Sequence, residues 1–444
     1  GIFKHDLKKT FLMMEEKIIN CGESIIDQCL LPELQIEIGH NFLSPTYFAE
    51  FQKILEVTLP QLFDYISSHQ AILLNTEDST IELRCKFLRL LFEQNCSQTD
   101  FQVQNKKLLD NLEILLLRYF LEIIDSQPEV EEKLWIYYKT HLHANKWRKQ
   151  LGSVFGFVKF LQLQYAERSY KKLEKDKCLF ILSSSLLFKE LHEDTYKNLA
   201  IVLLEILLTK SNKEDIKSLN IHDVVYENLT LDIPRVETPK DVELLWKCLF
   251  NCIEFTSFTN NYEWNRIDDL IENTLRRITL VSNTKVHQML FIYISKLCIF
   301  FNADKDRIMP FLNVEKISLL FNDVENLRNI CSKMNSHSSL RWAKKLLDIF
   351  ALESPSLLFE DNPIILLQTI HMTYLVSIFS IPLNVLEHHL EKFISNFVSP
   401  LIDVVGLNKT NESLKKVRIT FKSMNIWFYK KYSLISGKEF ILYL

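Results

Sequence analysis

Leu108–Ile124 reads LLDNLEILLLRYFLEII, and its periodicity decides the fold. Apolar side chains fall at 108, 109, 112, 115, 116, 119, 120 and 123, the i, i+3, i+4 stripe of an amphipathic helix. Ile114, Leu117 and Leu121 widen that stripe, which predicts a helix buried on more than one side. The same pattern recurs in Phe11–Cys29, Phe48–Ile66, Ile81–Phe92, Leu199–Leu208, Val242–Phe255 and Ile267–Leu280. It returns in Val286–Phe301, Leu340–Leu352 and Leu383–Val398.

The rest of the composition agrees with helices. The 444 residues include seven glycines, none between Gly156 and Gly406, where an average chain of this length carries about 30. Glycine supplies positive φ and close backbone approach to phosphates. Its scarcity leaves almost no place for a Gly-rich nucleotide loop, a nucleophile elbow or tight β-hairpins. Proline, not glycine, punctuates this chain. Ser44-Pro45, Ser126–Glu129, Ile233–Asp241 and Glu353–Pro363 separate the stripes, and Asp78-Ser79-Thr80 forms an expected N-cap cluster before IELRCKFLRLLF.

Helix pairs therefore recur at very roughly 40–50 residues, the range of HEAT and armadillo units. The expected fold is all-α, an irregular HEAT/armadillo-like α-solenoid of stacked antiparallel helix pairs. Two or three packed helical domains are the alternative. IPRVETPKD, residues 233–241, places the expected break, giving an N-terminal helical-repeat region over 1–235 and a C-terminal one over 236–444, or one continuous solenoid bent there.

No constellation of residues points to catalysis, a metal or a cofactor. The nine cysteines are odd in number and contain no CxxC pair. Cys248 and Cys252 share one helix face at i, i+4, but no second ligand pair follows at zinc spacing, so buried reduced thiols are expected. His141/His143 and His388/His389 lack the i, i+4 spacing of helical metal ligands. Unpatterned cysteines and the absence of a basic, then apolar leader in the opening GIFKHDLKK predict a cytoplasmic or nuclear protein. Ile364–Ile381 is uncharged but carries six polar residues, which reads as a buried helix and not a membrane span.

Charge is distributed unevenly. The chain totals −4, yet Lys139–Lys177 holds ten cations against three anions and Lys409–Lys438 eight against one, +7 in each case. In the second segment Phe421, Trp427, Phe428, Tyr429 and Tyr432 interleave with the cations. Contact with an acidic protein partner, a solvated face and binding of nucleic acid are all compatible with such a pattern. The candidate partner-binding residues are Lys415, Lys416, Arg418, Lys422, Trp427, Lys430 and Lys431. Gly152 and Gly156 form a GxxxG in KQLGSVFGFVKF, which predicts a tight helix crossing or a bend, since each glycine costs about 1 kcal/mol of helix propensity against alanine.

From Asn145 to Leu352 the order of elements resembles the smallest HEAT-repeat subunit of the Triple-T co-chaperone complex. The Trp-bearing KWRKQLGSVFGFVKFLQLQ leads into LEKDKCLFILSSSLLFKEL and NLAIVLLEILL. IDDLIENTLRRI, the long apolar helix at Val286–Phe301 and the Arg341-Trp342 helix follow. The resemblance implies a non-enzymatic binding scaffold. Its partners would be two larger helical-repeat subunits and, through them, a heat-shock chaperone and maturing phosphatidylinositol-3-kinase-like kinases. It supplies no catalytic residue.

Overall fold

The computed structural model describes residues 2–297 apart from 40–42, 97–98, 167, 169–170, 256–265, 279, 284, 288, 291–292 and 294–296. The stripes at 340–352 and 383–398, the apolar run Ile364–Ile381, the basic segment 409–438 and its seven candidate residues lie outside the described residues. Among the described residues the protein is all-α, with the regular elements helical and a single-residue bridge joining Leu173 to Ser211. No helix among them is long and apolar enough to cross a membrane. The chain divides into two units, 1–225 and 226–444.

The first unit contains α1 (Ile2–Cys29), α2 (Ala49–Ser68), α3 (Gln70–Leu73), α4 (Ile81–Gln94), α5 (Lys106–Ser126), α6 (Pro128–His141) and α7 (Leu151–Leu161). It continues through α8 (Lys175–Lys189), α9 (Asp194–Lys210) and α10 (Lys213–Ser218). The boundary between units falls within α11 (Ile221–Thr230).

Local chemistry explains most of the ends. Asn105 caps α5, its side chain accepting from the amides of Lys107 (3.0 Å) and Leu108 (3.4 Å). Pro128 opens α6 at the first helical turn, where its missing N–H costs nothing, and Glu129 and Glu131 complement the helix dipole. Ahead of α4 the expectation of an N-cap is not met. Asp78–Thr80 form a 3₁₀ turn, and the Thr80 hydroxyl donates back to the carbonyls of Asn75 and Glu77, both at 2.8 Å. A buried threonine here satisfies loop carbonyls instead of helix amides.

Helix α4 is the core of the first unit. It packs against α1, α5, α6 and α7, and Leu83, Cys85, Phe87, Leu88, Leu90, Leu91 and Phe92 are all buried. A helix covered on every side must bury whatever polar residues it carries, and α4 buries Arg84 and Glu93. Arg84 is held by the Leu73 carbonyl at 2.7 Å, the Gln127 side-chain oxygen and Ser126 Oγ at 3.3 Å, which ties α3 and the α5–α6 junction to α4. Beside it, Trp135, Phe157 and Phe160 pack edge to face, with centroids 5.6–5.8 Å apart across the two Trp135 pairs.

The second unit begins its described helices with α12 (Pro239–Glu254) and α13 (Arg266–Ile278). The Thr238 hydroxyl accepts from the Asp241 amide at 3.2 Å and starts α12. Val242, Leu245, Trp246, Leu249 and Ile253 form its buried face, with Cys248 and Cys252 on the same side. Trp246 stacks on Tyr293, centroids 5.0 Å apart. Seven cysteines are described: Cys29, Cys85, Cys178, Cys248 and Cys252 are buried, Cys96 is partly buried and Cys21 is exposed.

Candidate functional site

The basic segment at 139–177 does not form one free cationic face. Arg148 pairs with Glu190 (3.1 Å), Arg168 with Asp125, Lys171 with Glu131 (2.5 Å) and Lys177 with Glu174 (3.3 Å). Lys177 also lies 5.3 Å from the centre of the Trp135 ring. Three of these contacts tie separate segments together, and the Lys177–Glu174 pair is local to the start of α8. Lys139, Lys146, Lys172 and Lys175 are exposed but spread over the end of α6, the following loop and the start of α8. His141 stacks on Tyr137 with centroids 4.0 Å apart, while His143 stands exposed.

A different surface emerges on α5. Its inner face buries Leu112, Leu116, Tyr119, Phe120, Ile123 and Ile124. Ile114, Leu117 and Leu121 are 60%, 70% and 48% exposed, which corrects the expectation that they widen a buried stripe. Their i, i+3, i+7 spacing places them on one outward face roughly 10 Å long. Asp110, Glu113 and Glu122 stand exposed around that face, with Arg118 the one exposed cation on α5 between residues 110 and 122. Beside it α2 exposes Ile54 and Val57 one turn apart.

The two glycines of the GxxxG bring α7 onto α4, as their spacing predicts. A Cβ on Gly152 would stand 2.8 Å from the carboxyl carbon of Glu93, and one on Gly156 would stand 3.1 Å from the Tyr138 hydroxyl. Glu93 fills the space that Gly152 leaves open, and its Oε2 accepts from the Leu31 amide at 3.1 Å. Burial pushes its carboxyl up to about 7, against the pull of Arg89 and the Leu31 bond. Arg89 lies over the Tyr137 ring and donates to its hydroxyl (2.6 Å), which sits 2.9 Å from Ser153 Oγ. Glu93 and Ser153 are buried and Arg89 and Tyr137 partly so, and the cluster lies where α4, α6 and α7 cross.

A cleft of about 180 Å³ opens elsewhere in the first unit. Its floor is built by a chain segment that follows α1 and lies on the turn Trp147–Lys149, where the Leu34 and Ile38 amides donate to the carbonyls of Lys149 and Arg148, both at 2.9 Å. Phe48, Phe101, Phe155 and Tyr196 line the cleft from four separate elements, and Asp100 and Glu193 stand exposed among the lining residues. Burial pushes the Tyr196 hydroxyl well up, and the charges of Glu193 and Asp100 push it further. Nothing local in the sequence marks these rings as partners, since they are separated by about fifty residues at each step.

No protein-family model, curated protein or solved structure matches the chain.

Proposed function

We propose that the protein is a non-enzymatic helical-repeat scaffold, an irregular α-solenoid that docks a partner helix on the outer face of α5. The observation that carries this reading is the exposure of Ile114, Leu117 and Leu121 in helical register. Amphipathic helices read such i, i+3, i+7 anchors when they lie against a neighbour. Asp110, Glu113 and Glu122 stand exposed around the apolar residues, with Lys106 and Lys107 exposed at the start of the helix, so the proposed partner carries an apolar stripe with Lys or Arg set against the three carboxylates. Successive helices packing on each other, α1 on α2, α4 on α5 and α8 on α9, support the repeat architecture.

The order of elements over 145–352 names the first partners to try, two larger helical-repeat subunits of a co-chaperone assembly that matures phosphatidylinositol-3-kinase-like kinases, in the cytoplasm or nucleus. Leu117→Asp tests the docking face directly. Because Leu117 is 70% exposed, the variant is expected to keep its circular dichroism and urea midpoint while losing co-purification of both subunits. Co-purification at wild-type levels with the variant, or from neither protein, would overturn the proposal.

A further inference from the structure

We infer that the cleft between Phe48, Phe101, Phe155 and Tyr196 binds an alkylammonium group, the charged head of a lysine side chain, N-methylated or not, or of a small quaternary amine. Its size comes first. At about 180 Å³ it falls below the roughly 300–1,000 Å³ of pockets that enclose a whole drug-sized ligand. What enters is a head group.

Its chemistry then selects the charge of that group. The four rings follow one another, Phe48 to Phe101 at 6.0 Å, Phe101 to Phe155 at 5.7 Å and Phe155 to Tyr196 at 6.3 Å between centroids. Aromatic rings attract cations through their quadrupoles, and Phe48, Phe101, Phe155 and Tyr196 bring the small part of their surface that is not covered by protein to the lining of the cleft. Asp100 and Glu193 add two carboxylates, and neither makes an ion pair among the described residues. No Lys, Arg or His is among the eleven described residues that line the cleft. Both carboxylates belong to the lining of the same cleft as the Tyr196 ring. An anion is repelled by that arrangement, and a neutral apolar group gains the rings but leaves the carboxylates unused. Lysine and its methylated forms satisfy both.

The position is independent of the face on α5. The cleft is lined from the segment after α1, the 3₁₀ turn Pro45–Phe48, the chain leading into α5, α7 and the start of α9 with the residue before it. Loss of docking through Leu117→Asp therefore leaves it intact, and the two readings fail separately.

A titration of the full chain by saturation-transfer NMR compares choline with its uncharged carbon isostere, 3,3-dimethylbutan-1-ol. Choline is expected to bind about tenfold more tightly, the factor that a partly desolvated cation–ring contact supplies. A peptide bearing trimethyllysine tests the source: tighter binding than choline assigns the cleft to a protein side chain, and equal binding assigns it to a free amine. The double variant Asp100→Asn, Glu193→Gln alters only exposed side chains and is expected to fold normally and weaken choline at least about fivefold. Equal binding of choline and its isostere, undiminished binding by the double variant, or no binding of either ammonium probe would each overturn the inference.

Discussion

Replacing Glu93 by glutamine changes one atom and removes one titration. The carboxyl has an ordinary value of 4.5 and is held at about 7 in the folded protein. Between those two values the native state binds more protons than the unfolded chain, so stability falls as pH rises. The sign is opposite to that of an ion-paired carboxylate. At about 1.4 kcal/mol per unit, a gap of 2.5 units between the cited values amounts to about 3 kcal/mol. Most of this is lost between pH 5 and pH 8. Other groups titrate nearby. His141 is held below its ordinary 6.5, chiefly by burial, and contributes with the opposite sign. Burial pushes the Tyr137 and Tyr138 hydroxyls upward, out of this range. All of these persist in Glu93→Gln and cancel in the difference between the two proteins. Urea denaturation of both, followed by tryptophan fluorescence, reports on the buried Trp135 and Trp147 of the same unit. Between pH 5 and pH 8 the variant should gain about 2–3 kcal/mol relative to wild type. A difference constant to within about 0.5 kcal/mol would refute the reasoning, because it would mean that Glu93 titrates alike in both states.

Two further substitution and labelling experiments address the same core. Gly152→Ala drives its Cβ against the Glu93 carboxylate, 2.8 Å away, and should break the Leu31 bond. The buried amide costs about 1–3 kcal/mol, of which the better helix propensity of alanine returns about 1. A net loss of up to about 2 kcal/mol is expected from the urea midpoint, turning into a gain in a Glu93→Ala background, and an equal change in both backgrounds would refute the contact. Native-state alkylation with peptide mapping should modify Cys21 before the other described cysteines. Cys29 and Cys85, with burial pushing both thiols up to about 12, should react on the order of a hundredfold more slowly. Comparable rates would show that α1 and α4 open under native conditions.

The helices were legible because their signals are local. Apolar stripes fixed α4, α5, α9, α12 and α13, Pro128 marked the start of α6, and the spacing of Gly152 and Gly156 announced a close crossing. What could not be read depends on neighbours distant in sequence. Arg84 and Glu93 look like ordinary solvent-facing positions of an amphipathic helix, and only the packing of α1, α5, α6 and α7 around α4 makes them interior. Thr80 stands where an N-cap belongs, but its hydroxyl is taken by carbonyls of the preceding loop. The cations at 148, 168, 171 and 177 form a run in sequence, yet each reaches a different carboxylate. The ring-lined cleft has no local signature, since Phe48, Phe101, Phe155 and Tyr196 meet only through the tertiary fold.

On α5 the sequence signal was strong and still ambiguous. Periodicity reports how many sides of a helix are apolar, not how many have a neighbour. Six buried residues already give α5 its attachment to the unit, so the outer three are not required for folding. Leaving Ile114, Leu117 and Leu121 in water forgoes roughly 1.5–3 kcal/mol for each side chain that could be buried. A partner that covers them recovers that energy, less the cost of association. A second copy of the same face would supply the apolar contact equally well. It would also bring Asp110, Glu113 and Glu122 against their own counterparts, with Arg118 the only exposed cation on that stretch of α5 to answer them. Like charges facing each other at an interface oppose assembly. On the proposed docking, a basic helix avoids this repulsion, so the carboxylates favour it over a second copy of the face.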